Sequence, residues 1–313
     1  MHQSLFESAA LPTIHVNNVD IAYETQGDPR NPTILLIMGL GMQLISWPAA
    51  FCDGLERQGF YVIRFDNRDS GLSSKLHHLG KPNTLLALIK MAFHIPLKAG
   101  YTLDDMAADA IALLEALDIE RAHIVGASMG GMIAQIIAAK YPEHTISLTS
   151  IMSTSGRRGL PGPTKAARKV LFSRPPAAND QQGVINHFVN TMQVIGSPAY
   201  PVAHEVLQER IAESVQRSLE PVATKRQLLA IGASGDRVAL LKTVRVPSLV
   251  IHGSDDPLLP VACGRETAEL IPNAVLQEID GMGHDLPDGL NDHLSQLIAE
   301  HCHAAAKLYG PTE

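Results

Sequence analysis

The segment Gly126-Ala127-Ser128-Met129-Gly130-Gly131 constrains the fold most, because it joins an apolar run to a helical one. Residues 122–125 are mostly apolar and are typical of a strand, whereas residues 132–140 are typical of a helix. Gly126 and Gly130 are small enough to let the chain turn sharply between these elements, with Ser128 exposed at the crest. The N–H groups at the start of the helix point towards this crest, where they would stabilise an anion. The pattern predicts a nucleophile elbow in an α/β fold.

Short apolar runs alternate with amphipathic helical stretches, which predicts a mostly parallel sheet with helices on both faces. The predicted strands are Val19–Glu24, Thr33–Met38, Tyr61–Asp66, Ala122–Ala127, Ile146–Met152, Ser248–His252 and Val275–Ile279. Thr102 is the expected N-cap of a helix from Leu103 to Leu117, and the last helix runs from about Leu290 to Ala306. We therefore expect residues 1–152 and 245–313 to form one α/β core.

Residues 153–244 interrupt this alternation. They contain helical stretches separated by Pro- and Gly-bearing breaks, namely Lys165–Phe172, Gln181–Ile195, His204–Leu219 and Lys225–Ile231. A helical insertion between two strands predicts a cap over the carboxyl ends of the strands, where ligands bind in open sheets. An independent helical domain is the alternative, but its ends would emerge side by side from the sheet, which favours the cap. A second excursion, residues 79–100, contains the apolar run Leu85–Phe93 and is either a lid helix or a covered loop.

A catalytic triad can be predicted from the order of residues along the chain. A serine hydroxyl becomes a nucleophile when a base takes its proton, and an acidic residue fixes the tautomer of that base. After a nucleophile elbow the expected order is Ser, then Asp or Glu, then His. The strand 248–252 leads into Asp255 and Asp256, and the spacing from Gly253 favours Asp256 as the acid, with Asp255 as a loop-capping residue. His284 follows the next strand and two glycines, so it is the predicted base.

Other histidines have simpler explanations than catalysis. His252 ends a strand just before a glycine, so we expect it to pack or to form a local hydrogen bond. The terminal helix carries further histidines for which surface positions suffice: His293, His301 and His303.

Acyl transfer also needs two backbone N–H donors for the oxyanion. One comes from the residue after the nucleophile and one from the loop after an early strand. These donors are predicted to be Met129 and Leu40, the latter lying between two glycines after the strand 33–38.

Substrate contacts are predicted on the loops at the same edge of the sheet. The candidates are Gly39, Gly41, Met42, Trp47 and Met282. Flexible thioethers suit an apolar acyl group, but core packing explains buried methionines equally well. Arginines at the edge of the predicted cap could contact an anionic substrate, but solvated surface charge is the expected role of Arg157, Arg158 and Arg174.

Composition argues against several other classes of protein. The net charge of −7 is spread along the 313 residues without a basic stripe, which argues against a nucleic-acid partner. No apolar run approaches the roughly 20 residues of a membrane span, and the first residues carry neither a basic start nor an apolar secretory core. Cys52, Cys263 and Cys302 are widely spaced, which favours reduced thiols, no metal and a cytoplasmic location. The oligomeric state is left open.

Together these residues resemble the α/β-hydrolase superfamily. Besides the elbow and the acid loop, residues 66–73 resemble the Asp-x-Arg-x-x-Gly-x-Ser stretch that these enzymes carry after an early strand. Met38-Gly39 stands where His-Gly is more usual, which removes a side-chain contact under the oxyanion loop. With Ser46-Trp47-Pro48 and Gly281-Met282-Gly283-His284, this variant is similar to the aclacinomycin methylesterase group, whose members hydrolyse a carboxylic methyl ester.

The resemblance implies an α/β-hydrolase fold and a serine esterase acting on small to medium apolar esters through an acyl-enzyme. Ser128, Asp256 and His284 would carry the triad roles, and neither a metal nor an organic cofactor is needed. The same triad could instead serve cofactor-free perhydrolysis or haloperoxidase chemistry, lactone opening or carbon–carbon bond hydrolysis, because selectivity depends on the cap and the pocket. A non-catalytic small-molecule binder is a further alternative, against which the presence of all three triad residues argues.

Overall fold

The structure is a computed structural model that describes residues 11–92, 95–177 and 179–308. The strands of these residues are β1 (Thr13–Val16), β2 (Val19–Gln26), β3 (Thr33–Ile37), β4 (Tyr61–Phe65), β5 (Ala122–Ala127), β6 (Thr145–Ile151), β7 (Ser248–Gly253) and β8 (Val275–Ile279). They form one sheet in the order β1-β2-β4-β3-β5-β6-β7-β8. The β1–β2 and β2–β4 pairs are antiparallel and the other pairs are parallel, which confirms the predicted mostly parallel sheet.

Helices pack on both faces of this sheet. The helices of the described residues are α1 (Ala49–Arg57), α2 (Thr84–Ala92), α3 (Leu103–Ala116), α4 (Met129–Lys140), α5 (Lys165–Leu171), α6 (Gln181–Ile195), α7 (His204–Arg217), α8 (Pro221–Ser234), α9 (Val238–Leu241), α10 (Ala262–Leu270) and α11 (Asn291–Lys307). On one face α1 and α11 bury Phe51, Leu55, Leu294 and Ile298 against the strands. On the other face α3 and α4 pack together and bury a second apolar cluster. The strands between these layers, β3 above all, are buried on both sides, as a parallel sheet requires.

Helices α5 to α9 all lie between β6 and β7, within residues 153–244, which we call the helical segment. No strand occurs in its described residues, 153–177 and 179–244. Helix α8 begins at Pro221 rather than at the predicted Lys225. Proline is favoured in the first turn of a helix, because an N–H group there has no acceptor within the helix. Helix α8 packs against α2 and α3, so the helical segment is joined to the core.

One strand is missing from the sequence prediction. Residues 13–16 form β1, which joins β2 through a two-residue turn at Asn17 and Asn18. Both asparagines have positive φ, 47° and 62°, as the tight turn of a hairpin requires. The first strand has only four residues, so its alternation of exposed and more buried side chains is too short to predict a strand.

The structure describes two local features for which the sequence makes predictions. Thr102 caps α3 by accepting the amide of Asp105, whose carboxylate in turn accepts the amide of Thr102. In the excursion 79–100, residues 84–92 are helical, while Phe93 lies outside the described residues. No helix in the described part of the chain has the length and apolarity needed to cross a membrane.

Candidate active site

Ser128 lies between β5 and α4 at a strained turn. Its backbone has φ 55° and ψ −117°, in the left-handed half of conformational space that a residue with a Cβ seldom adopts. A Cβ on Gly130 would overlap the carbonyl oxygen of Ile37, and one on Gly126 would overlap the carbonyl oxygen of Gly130. The glycines are therefore required by close backbone approach, which lets α4 start directly against β3 and β5. The amide of Ser128 donates to Ile151 O at 2.9 Å, and this bond stabilises the strained turn.

The structure brings the three predicted triad residues into one hydrogen-bonded row. His284 Nε2 lies 3.0 Å from Ser128 Oγ, and His284 Nδ1 lies 2.7 Å from Asp256 Oδ2. Asp256 and His284 are buried, whereas Ser128 is half-buried. The imidazole is therefore placed to accept the serine proton while its other nitrogen donates to a carboxylate.

Asp256 is held as a carboxylate by several donors. Its Oδ1 accepts the amides of Leu258 and Leu259, each at 2.8 Å. His252 Nε2 lies 2.6 Å from the carbonyl oxygen of Leu259 and 3.4 Å from Asp256 Oδ2, so this nitrogen carries a proton and faces both oxygens. Burial by itself would raise the pKa of Asp256, but the charge of His284 and these hydrogen bonds together lower it below its usual range.

The competing residues are not members of the hydrogen-bonded row from Ser128 to Asp256. Asp255 is exposed, and its carboxylate accepts the hydroxyl of Ser254 at 3.1 Å. His252 forms the local hydrogen bond expected of it, although its contact with Asp256 was not anticipated. On α11, His293 is exposed and His303 Nε2 contacts Gln58 O at 3.1 Å, whereas His301 is half-buried.

Residues 39–42, which we call the oxyanion turn, lie against Ser128. A Cβ on Gly39 would be 3.2 Å from Ser128 Cβ. Met42 N–H donates to Gly39 O at 3.2 Å, and Gly41 has φ +68°. A four-residue turn with a left-handed glycine at its third position has the form of a type II turn, with Leu40 at the second position. Met129 is the first residue of α4, so its amide has no partner within the helix.

The segment after β4 supports the oxyanion turn. Asn67 Nδ2 donates to Met38 O at 3.1 Å, and Ser70 Oγ donates to Met42 O at 2.6 Å. Asp66 Oδ1 accepts the amide of Leu44 at 2.7 Å. These bonds explain how the turn is held although residue 38 is a methionine rather than a histidine. The sequence resemblance singled out residues 66–73, but it did not indicate that they support the oxyanion turn.

The loop that carries His284 is held by the end of α6. The amide of His284 donates to Ile195 O at 2.7 Å, and that of Gly283 donates to Ser197 Oγ at 2.8 Å. Ser197 Oγ in turn donates to Asp285 Oδ1. Burial raises the pKa of Asp285, and the hydrogen bond from Ser197 opposes that shift. Residues of the helical segment therefore hold the backbone at Gly283 and His284 and the side chain of Asp285.

The predicted substrate contacts divide into two groups. Gly39, Gly41 and Met42 belong to the oxyanion turn beside Ser128. The other two are core residues: Trp47 stacks on Phe51 with its ring centroid 5.4 Å away, and Met282 is fully buried in the same apolar cluster. The structure therefore places Trp47 and Met282 in the core rather than at the rim, because burial of a large apolar surface outweighs exposure there.

The charged residues at the edge of the helical segment have the expected surface placement. Arg157 pairs with Glu266 at 3.1 Å and is half-exposed, and Arg158 is exposed. Arg174 is exposed as well. Across the described ranges no cluster of three or more His, Cys, Asp or Glu side chains could hold a metal ion.

Comparison with known proteins adds independent information. Residues 32–288 match the family model described as alpha/beta hydrolase fold. The chain is 30% identical to rhodomycin D methylesterase DnrP of Streptomyces peucetius, over 94% of this chain and 99% of the relative. It is 26% identical to the putative non-heme bromoperoxidase BpoC of Mycobacterium tuberculosis, over 90% and 98%. The crystal structure of the enol-lactonase from Burkholderia xenovorans LB400 superposes with a TM-score of 0.69 at 22% identity, covering 93% of this chain and all of that one.

Proposed function

Because the chain belongs to the α/β-hydrolase fold family and is similar to its methylesterases, we propose that it cleaves carboxylic esters through an acyl-enzyme on Ser128. The observation that supports this most is the row of hydrogen bonds from Ser128 through His284 to Asp256, with distances of 3.0 and 2.7 Å. Nucleophile, base and orienting acid have the mutual geometry that acyl transfer requires.

The proposed reaction has two halves. His284 Nε2 takes the proton of Ser128 as the hydroxyl oxygen attacks the ester carbonyl, and it then gives that proton to the departing alcohol. A water molecule next gives its proton to His284 and attacks the acyl-enzyme, which releases the carboxylic acid and returns the proton to Ser128. Throughout, Asp256 stabilises the positive charge of the imidazolium and keeps the Nδ1 proton facing the carboxylate.

Two amides are proposed to hold the oxyanion of each tetrahedral intermediate. Met129 N–H is at the start of α4, where the positive end of the helix dipole adds to the hydrogen bond. Leu40 N–H belongs to the oxyanion turn, whose Gly39 lies beside Ser128. Both donors are backbone groups, Met129 being buried and Leu40 half-buried, so they require little rearrangement when charge develops.

For the substrate we propose a small to medium apolar ester, a class that includes carboxylic methyl esters. The similarity to a rhodomycin D methylesterase supports this class. We also propose that the helical segment acts as a cap, because Thr224 on α8 lies against Gly41 and Ser197 lies against Gly283. Its described residues thus border both the nucleophile and the base, where a cap would select the substrate.

Substitution of the nucleophile tests the proposal. Ser128→Ala should lower kcat/KM towards a p-nitrophenyl ester by about 10⁴-fold or more, and it should abolish labelling by a fluorophosphonate. Ser173→Ala is the matched control, because the hydroxyl of Ser173 bonds to Val170 O at the end of α5 and is not part of the triad. Activity of Ser128→Ala within about tenfold of wild type would rule the acyl-enzyme scheme out.

A second candidate reaction uses the same acyl-enzyme. The similarity to a putative non-heme bromoperoxidase favours perhydrolysis, in which hydrogen peroxide rather than water attacks the acyl-enzyme and releases a peracid. Peracid formed from acetate and hydrogen peroxide by the wild type, and not by Ser128→Ala, would support this reaction. Ester cleavage without any peracid would support the esterase alone.

A further inference from the structure

Gln227, on α8, connects the helical segment to the oxyanion turn and is fully buried. Its Oε1 accepts the amide of Gly41 at 2.8 Å, and its Nε2 donates to the carbonyl oxygen of Arg68 at 2.8 Å. Because the amide nitrogen faces a carbonyl oxygen, the side-chain oxygen is the atom that faces Gly41. We propose that Gln227 is a positioning residue that holds the oxyanion turn so that Leu40 N–H faces the developing oxyanion. This inference rests on the proposed function.

The contacts of the turn show why this hydrogen bond matters. Two backbone groups, one on each side of Leu40 along the chain, each form a hydrogen bond with a side chain. The Met38 carbonyl before it accepts from Asn67, and the Gly41 amide after it donates to Gln227. Gly41, with φ +68°, has no Cβ that would restrict its backbone to this conformation. The Gln227 bond therefore restrains the central peptide of the turn, which directly follows the proposed oxyanion donor.

Gln227 itself is rigidly placed. The preceding residue, Arg226, forms a two-fold ion pair with Asp69, with Nη2 to Oδ1 at 2.6 Å and Nε to Oδ2 at 2.8 Å, and both side chains are almost fully buried. Thr224, one turn earlier on α8, lies against Gly41, where a Cβ would meet its methyl carbon at 2.8 Å. A buried ion pair and a close steric contact thus set the position of α8 relative to the turn, and Gln227 transmits that position to the Gly41 amide.

The kinetic consequence is specific. The oxyanion donors act in the transition states of both acylation and deacylation, so a displaced turn slows both steps and lowers kcat with little change in KM. Complete loss of one such donor costs about 10²- to 10³-fold. Displacement is a partial loss, so we expect Gln227→Met to lower kcat by about 10- to 100-fold. Methionine has nearly the length of glutamine but supplies neither hydrogen bond.

A matched control separates positioning from general weakening of the fold. Tyr101→Phe removes the hydrogen bond of 2.9 Å from the tyrosine hydroxyl to Asp69, which belongs to the same buried network around α8 but does not touch the turn. Its kcat should stay within about twofold of wild type, because the lost hydrogen bond involves neither the oxyanion turn nor the proposed triad. Equal losses of kcat in Tyr101→Phe and Gln227→Met would overturn the proposal.

A double-mutant cycle tests whether Gln227 acts through the Leu40 amide. Proline is favoured at the second position of a type II turn, so Leu40→Pro removes the donor N–H in a conformation that the turn already has. We expect Gln227→Met to lower kcat by less than about threefold in the Leu40→Pro background, because residues acting as a unit are non-additive. The same fold-loss in both backgrounds would show that Gln227 acts independently of this amide.

Further measurements cover the remaining outcomes. If Gln227→Met does not fold, Gln227→Glu replaces it, because glutamate keeps an oxygen acceptor for the Gly41 amide. The kcat of Gln227→Glu should then lie between the kcat of the wild type and that of Leu40→Pro. A kcat below that of Leu40→Pro contradicts the proposal. An active Ser128→Ala would refute the proposed function itself. An inactive Ser128→Ala combined with a fully active Gln227→Met would refute the positioning role alone.

Discussion

Asp256→Asn is the substitution whose effect can be derived most fully from the geometry. Asp256 Oδ1 accepts two backbone amides, from Leu258 and Leu259, so the oxygen of an asparagine must occupy this position. The NH₂ group is then forced into the position of Oδ2, which faces His284 Nδ1 at 2.7 Å. An NH₂ group donates, so His284 must accept at Nδ1 and carry its proton on Nε2. In that tautomer the imidazole cannot take the proton of Ser128.

The size of the effect follows from this tautomer. Where an Asp→Asn change in a serine triad preserves geometry but reverses the imidazole, kcat falls by about 10⁴-fold, equivalent to about 5 kcal/mol of transition-state stabilisation. His252 Nε2 also faces Oδ2, at 3.4 Å, and would meet a second donor there, which adds to the cost of the wrong arrangement. KM should change much less, because the substrate contacts neither oxygen of Asp256 in the proposed mechanism.

The assay is steady-state hydrolysis of a p-nitrophenyl ester at neutral pH, with circular dichroism to confirm folding. Asp255→Asn is the matched control on the neighbouring residue, which is exposed and should retain activity within about twofold. A folded Asp256→Asn enzyme with more than about one-tenth of wild-type kcat would refute the tautomer argument. A large loss in Asp255→Asn with an active Asp256→Asn would instead assign the acid role to Asp255.

Two further predictions concern stability. Burial by itself would raise the pKa of Asp69, but the ion pair with Arg226 outweighs burial and lowers this pKa. The Asp69 carboxylate therefore stabilises the fold above about pH 4, and this contribution is lost as the pH falls through the lowered pKa. Asp69→Asn should therefore reduce the free energy of unfolding by about 3–5 kcal/mol at pH 7. Urea unfolding should show that this difference in free energy between wild type and variant shrinks as the pH decreases. A difference that stays constant with pH would contradict the role of the ion pair. Gly130→Ala should lower the free energy of unfolding by about 1–3 kcal/mol or more, because the added Cβ would overlap Ile37 O. Gly162→Ala is the control and should leave stability unchanged, because no atom lies within 4 Å of its added Cβ. Equal melting temperatures of the two variants would contradict the crowding at Gly130.

The triad could be predicted from the sequence because chemistry and sheet geometry restrict it so strongly. Each of Ser128, Asp256 and His284 follows a strand that runs parallel to its neighbours, and the carboxyl ends of parallel strands meet at one edge. The residue types and their order along the chain then leave few alternatives. The mostly parallel sheet was predictable for the same reason, since buried strands have continuous apolar runs.

The contacts that support the site were not predictable in this way. The bond from Gln227 to Gly41 joins residues 186 positions apart, and neither residue type signals a partner on its own. Trp47 was assigned to the rim because it is near the oxyanion turn in sequence, yet the chain turns inward and stacks it on Phe51. Strand β1 was missed because it has only four residues, so its alternation of exposed and more buried side chains covers too few positions to indicate a strand. Long-range polar pairs depend on tertiary packing, which periodicity does not encode.

The bonds from Ser197 and Gln227 have a consequence for protein engineering. A chimaera that exchanges residues 153–244 for those of a relative would replace the groups that hold Gly283 and Gly41. Such a transplant would alter turnover together with selectivity unless both side chains travel with the graft. Libraries aimed at new specificity should therefore leave positions 197 and 227 unchanged and diversify the helix faces between them.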